Sequence, residues 1–82
     1  MMNTSESKVI LYIDDDKENL DVFYFAFRSL YTIHVTQSAD EAWNILKKEP
    51  VKVLICDQRM PEITGLDFIS KMLADFPDVS PI

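Results

Sequence analysis

Residues 51–57 read Val51-Lys52-Val53-Leu54-Ile55-Cys56-Asp57, a largely apolar run that ends in a carboxylate. An earlier apolar run, Val9 to Ile13, ends in the same way on Asp14-Asp15-Asp16. Both runs are short and rich in β-formers, which is typical of strands covered on both faces of a parallel sheet. If the two strands are neighbours, their closing carboxylates meet at one edge of the sheet. The two runs therefore predict an acidic site that needs a cation.

The segment between the two runs predicts one helix and one strand. Four apolar residues recur at helical spacing and predict a helix over residues 17–30, whose acidic beginning suits a helix N-terminus. Residues 31–35 then alternate between β-branched and polar side chains, which indicates a strand at the edge of a sheet. The apolar stripe of the helix comprises Leu20, Phe23, Phe27 and Leu30.

Two further helices are marked by their caps and stops. Ser38 and Glu41 form a capping-box signature, and Pro50 ends the helix that follows. Thr64 is placed to cap a third helix, which Pro77 ends. The resulting order β-α-β-α-β-α is typical of right-handed crossover units that build an α/β sheet. Residues 81–82 are placed as the first step of a fourth strand.

Composition limits the chain to one small domain. Its 82 residues are 48% hydrophobic, so we expect a single unit over residues 8–82 after a disordered leader, residues 1–7. The net charge of -6 argues against nucleic acid as a partner of this segment. With Cys56 as the only cysteine, no intrachain disulfide can form, and a reducing compartment fits best. No apolar run is long enough for a membrane span, so a cytoplasmic location is expected.

The acidic residues at the two strand ends predict a particular chemistry. With strand order 2-1-3, Asp14, Asp15 and Asp57 point into the crevice between strands one and three. Unit charges about 4 Å apart repel by roughly 4 kcal/mol per pair at an effective dielectric near 20. Raised pKa values or a bound cation must relieve that repulsion, and Mg²⁺ is the hard, oxygen-seeking ion that fits. A carboxylate beside such an ion can attack a phosphoryl donor.

Two motifs resemble the receiver domain of two-component response regulators. Residues Val9 to Asp16 look like the first strand of that family with its acidic pair, and residues Val53 to Pro61, followed by Gly65, resemble its third strand, phosphoacceptor and turn. The resemblance covers residues 8–82. It implies a flavodoxin-like parallel sheet that is incomplete, a partial receiver domain that lacks strands 4 and 5 and helices 4 and 5.

The resemblance also implies roles for individual residues. Asp57 matches the phosphorylated aspartate, Asp14 and Asp15 match the acids that bind Mg²⁺ with it, and Arg59 matches the position whose backbone carbonyl completes the metal shell. A histidine kinase or a phosphotransfer protein would be the partner, and the domain would be a signalling module rather than an enzyme. The family also has a Thr or Ser after strand four and a Lys after strand five, and these 82 residues contain no counterpart of either.

Two other functions are compatible with the same residues. The first is an interaction fragment without chemistry: an unpaired, apolar third strand and uncovered helix faces would let two copies form a homodimer. The second is a phosphatase with an aspartyl-phosphate intermediate, whose haloacid-dehalogenase-like family has Asp-x-Asp-x-Thr or Val after the first strand. Asp14 and Asp16 match that motif, but Glu18 does not.

Overall fold

Strands and helices alternate along the chain. The computed structural model describes residues 8–58 and 63–82, so the predicted leader lies outside the described residues. In the described part of the chain no helix has the length and apolar character needed to cross a membrane. The elements are β1 (Val9–Ile13), α1 (Lys17–Phe27), β2 (Thr32–Thr36), α2 (Ala39–Lys48), β3 (Val53–Cys56), α3 (Gly65–Asp75) and β4 (Ser80–Pro81).

All four strands are parallel and form one sheet in the order β2-β1-β3-β4. The predicted order 2-1-3 is confirmed, and β2 lies at an edge as expected. Ile13, the last residue of β1, pairs with Thr36 of β2 on one side and with Cys56 of β3 on the other. Because the three strands end at the same level, the residues that follow β1 and β3 emerge side by side.

The main core lies between one face of the sheet and the helices α2 and α3. Alternate residues of β1 point into it, as the two-residue period of a strand requires. On the opposite face the ring of Phe23 in α1 meets the ring of Tyr12 edge-on, with 5.0 Å between centroids. The core cluster consists of Val9, Leu11, Ile13, Ala42, Leu46, Val51, Leu54, Phe68, Met72 and Val79.

The edge of β3 differs from the prediction. We expected it to have no partner, but Val53 pairs with Ser80 and Leu54 with Pro81. The backbone N–H of Ile82 also donates to the Leu54 carbonyl, at 2.9 Å. The expectation was wrong because a two-residue fourth strand is enough to pair the first half of β3. The predicted beginning of that strand near residue 81 is confirmed.

Helix α1 is shorter and more exposed than predicted. It ends at Phe27 rather than at Leu30, because the N–H groups of Leu30 and Tyr31 both donate to the Phe27 carbonyl and turn the chain back toward β2. Leu30 therefore lies outside the helix and exposed, so the predicted stripe is only partly buried. Val22 and Phe25, on the outer surface of α1, are 70% and 65% exposed.

Candidate functional site

Three carboxylates converge at the carboxyl edge of the sheet. Asp14 and Asp15 follow β1, Asp57 follows β3, and each offers an oxygen atom that lies within 4.8 Å of the other two. The strand pairing continues past the strand ends, since Asp57 N–H donates to the Ile13 carbonyl at 2.9 Å and Asp14 N–H donates to the Thr36 carbonyl at 3.2 Å. The convergence that the sequence predicted is present, and backbone hydrogen bonds hold two of the three residues in place.

Asp14 is the buried member of the group, with 5% of its surface exposed. Burial by itself would raise the pKa of this carboxyl, but hydrogen bonds from the Asp16 backbone, the Tyr12 hydroxyl and the Asn19 amide hold the pKa below its ordinary value. Asp14 is therefore ionised at neutral pH. Of the two predicted ways to relieve the repulsion, a raised pKa is wrong for this residue.

Tyr12 belongs to the site, although sequence reasoning missed it. Burial, followed by the hydrogen bond to Asp14, raises the pKa of Tyr12 to about 12, so its hydroxyl keeps its proton and stays a donor. Tyr12 lies in β1 and Asp14 directly follows that strand, and the spacing of two residues places both side chains on the same face of the sheet. The two-residue alternation of side chains along a strand could therefore have identified Tyr12 from the sequence. No such pattern in the sequence points to Asn19, which lies in the first turn of α1.

The beginning of α3 packs directly against the end of β3. Thr64 caps the helix as predicted, its hydroxyl accepting from Asp67 N–H at 3.1 Å. The Gln58 side chain accepts from Leu66 N–H at 3.1 Å and so ties the residue after Asp57 to the helix. A Cβ atom at Gly65 would lie 2.7 Å from the Asp57 carbonyl oxygen. Only glycine therefore lets the helix begin this close to the residue that carries the third carboxylate.

The donor set fits a hard divalent cation. Asp14, Asp15 and Asp57 supply carboxylate oxygens, the ligands that Mg²⁺ prefers. The neighbouring Cys56 thiol is half-buried, and burial, with the charges of Asp57 and Asp14, raises its pKa to about 11. The thiol therefore stays protonated at neutral pH, when it is a poor metal ligand. The backbone carbonyl of Arg59, the fourth predicted ligand, lies outside the described residues.

Comparison with known proteins gives a consistent family match. The profile of the family described as response regulator receiver domain matches residues 10–82. The chain is 30% identical over 76 residues to the hydrogenase transcriptional regulatory protein HoxA of Cupriavidus necator, a match that covers 93% of this chain and 16% of HoxA.

Solved structures show the same fold. A response regulator receiver domain protein from Clostridium thermocellum matches with a TM-score of 0.83 at 23% identity, over 90% of this chain and 61% of that one. A structure of the histidine kinase ThkA in complex with the response regulator protein TrrA matches with a TM-score of 0.82 at 23% identity. This match covers 90% of this chain and 65% of that one. The chain spans less than two-thirds of the length of each of these proteins.

Proposed function

Because the chain belongs to the response regulator receiver domain family, we propose that it is the phosphoacceptor module of a two-component signalling system and that Asp57 is the residue phosphorylated. The observation that supports this best is the convergence of Asp57 with Asp14 and Asp15, whose carboxylate oxygens lie within 4.8 Å of one another. A lone acid after a strand has several structural explanations. Three acids from two separate strands, one of them buried and ionised, are better explained by a cation and an anionic substrate.

Asp57 acts as the nucleophile in this proposal. One of its carboxylate oxygens attacks the phosphorus atom, the bond from phosphorus to the donor breaks, and an acyl phosphate forms on Asp57. Asp14, Asp15 and the Asp57 carboxylate would hold Mg²⁺, with the Arg59 backbone carbonyl as a fourth ligand. When bound, Mg²⁺ would neutralise negative charge on the transferring phosphoryl group. The chain itself fixes the nucleophile, through the backbone hydrogen bond between Asp57 and Ile13 and the close start of α3.

A histidine kinase, or a phosphotransfer protein charged by one, is the donor we propose. Receiver domains interact with histidine kinases, and one structure with this fold holds such a kinase with a response regulator protein. We propose that the protein is regulatory rather than enzymatic and that it acts in the cytoplasm. Turnover of a generic phosphate ester would instead favour the phosphatase alternative. The motif of that family has Thr or Val at the position where this chain has Glu18.

Replacing Asp57 by asparagine tests the phosphoacceptor role. With Mg²⁺ and a small phosphodonor such as acetyl phosphate, we expect the protein to gain the mass of one phosphoryl group and Asp57→Asn to gain none, because the amide is not a nucleophile. Intact-mass spectrometry measures the change. Asp78→Asn, which alters an exposed acid near β4, is the matched control and should label like the unaltered protein.

Two results would count against the phosphoacceptor role. Labelling that persists in Asp57→Asn would place the phosphoryl group elsewhere. A complete lack of labelling in the unaltered protein, also with beryllofluoride as a phosphoryl mimic, would favour the interaction fragment that the sequence left open.

We also propose that two copies associate as a homodimer. Since β4 pairs the first half of β3, the outer surface of α1 is the better candidate interface: Val22 and Phe25 lie there largely exposed. Residues 22–27 of α1, Val-Phe-Tyr-Phe-Ala-Phe, are largely apolar around the whole helix, and an exposed apolar surface of this kind often marks an interface. Sedimentation velocity should show a dimer whose fraction rises with concentration and which Phe25→Asp disrupts. Leu66→Asp, at an exposed leucine of α3, should leave it intact. A monomer at all concentrations up to high micromolar would refute the dimer.

A further inference from the structure

We propose that Tyr12 is a positioning residue: its hydrogen bond orients Asp14 so that one carboxylate oxygen faces the divalent cation. Asn19 contributes a second, weaker hydrogen bond to the same effect. This inference rests on the proposed function, since it requires a cation between Asp14, Asp15 and Asp57. It concerns residues that lie outside the acidic group itself.

The hydrogen bonds of Asp14 divide its two oxygens unequally. Oδ2 accepts from the Tyr12 hydroxyl at 2.7 Å and from the Asn19 amide at 3.2 Å. Oδ1 accepts from the Asp16 backbone N–H at 2.9 Å. A carboxylate offers about four lone-pair directions, two on each oxygen. Among the residues that the structure describes, both directions of Oδ2 therefore have a donor, and the one direction without a donor belongs to Oδ1.

The unequal division limits how Asp14 can bind a cation. A bidentate arrangement would require Oδ2 to give up one of its two donors, whereas Oδ1 can bind with all three hydrogen bonds intact. Asp14 would thus present Oδ1, rather than both oxygens, to the cation. Ligating carboxylates in metalloproteins are commonly oriented by hydrogen bonds of this kind, and loss of such a partner typically costs about 10- to 100-fold in metal affinity.

Tyr12 is the stronger of the two side-chain donors because it is itself held rigidly. It lies in β1, which is paired on both sides, and its ring packs edge-on against Phe23 at 5.0 Å. Its hydroxyl makes the shorter bond to Asp14. Asn19 lies on the exposed first turn of α1 and makes the longer bond. Removing the Tyr12 hydroxyl should therefore weaken cation binding more than removing the Asn19 amide.

The test measures Mn²⁺ or Mg²⁺ binding to the whole chain without any phosphodonor. Isothermal titration calorimetry should show affinity about tenfold weaker in Tyr12→Phe, and a smaller loss in Asn19→Ala. Tyr24→Phe and Tyr31→Phe remove hydroxyls from exposed tyrosines and should leave the affinity unchanged. Cation binding should also perturb the near-ultraviolet absorbance of tyrosine in the unaltered protein and in Tyr24→Phe, but not in Tyr12→Phe.

A double-mutant cycle separates positioning from a general structural effect. Because Tyr12 acts through Asp14, adding Tyr12→Phe to Asp14→Asn should cause no further loss of cation affinity. An equal further loss in that background would overturn the inference, and so would unchanged affinity in both Tyr12→Phe and Asn19→Ala. If Tyr12→Phe does not fold, the measurement on Asn19→Ala decides alone. A cation affinity of Asn19→Ala equal to that of the unaltered protein would then overturn the inference.

Failure of the inference can be told apart from failure of the proposed function. If the unaltered protein binds neither cation, the proposed metal site fails and the inference fails with it. If it binds a cation, and Tyr12→Phe and Asn19→Ala bind equally well, only the inference fails. Phosphorylation of Asp57 is measured in a separate experiment, by intact-mass spectrometry.

Discussion

Replacing Leu54 by alanine is expected to lower the free energy of unfolding by about 3–5 kcal/mol. Leu54 is fully buried in β3, in the core cluster between the sheet and the helices α2 and α3. The change removes three carbons from a packed site and leaves a cavity. At about 0.05–0.15 kcal/mol per residue, an 82-residue domain has roughly 4–12 kcal/mol of stability in all. Leu54→Ala should therefore remove a large share of it.

Urea unfolding followed by circular dichroism measures this effect. The matched control is Leu66→Ala, since Leu66 is also a leucine but is 63% exposed on α3. We expect the control to shift the free energy of unfolding by about 0.5 kcal/mol or less. Equal urea midpoints for the two variants would contradict the position of β3 at the centre of the core.

Replacing Gly65 by alanine should damage both the fold and the site. The added Cβ would lie 2.7 Å from the Asp57 carbonyl oxygen and 3.1 Å from the Gln58 Cα. Both are backbone atoms, so the beginning of α3 or the end of β3 has to move. Overpacking of this kind typically costs about 1–3 kcal/mol. Because the atoms that move belong to Asp57 and its neighbour, we also expect slower phosphoryl transfer to Asp57.

The opposite result for Gly65→Ala is equally well defined. Alanine is better than glycine inside a helix by about 1 kcal/mol, so a helix with free space at Gly65 would be stabilised. Ser70→Ala, at an exposed position of the same helix, is the control for helix propensity alone. A Gly65→Ala protein that is more stable and labels at the normal rate would show that the close approach of α3 has no functional importance.

The sheet and the acidic group could be predicted because each depends on a local pattern. The apolar runs that end at Ile13 and Cys56 determine which segments become buried strands, and right-handed crossovers then place those strands side by side. Once the strands are neighbours, Asp14 and Asp57 must emerge at the same edge. No exact atomic position was needed for that conclusion.

Features that depend on tertiary contacts were missed. The end of α1 at Phe27 depends on where the chain must turn to reach β2, and the apolar spacing continues past that turn. The beginning of the fourth strand was predicted, but its pairing with β3 was not, because two residues give no pattern that identifies the neighbouring strand. The side-chain donors to Asp14 are Tyr12 and Asn19, and only the position of α1 against the sheet brings the Asn19 amide within reach.

The central position of β1 has a consequence for how the protein folds. Ile10 pairs with both Ile33 and Val53, and the second partner is nearly twice as far along the chain as the first. Closing the longer loop costs more entropy, about 0.6 kcal/mol for each doubling of length, and contacts between distant residues slow folding. The acidic group assembles only after that loop has closed. A cation that binds there recognises the folded sheet and not the unfolded chain, so by mass action it stabilises the native state.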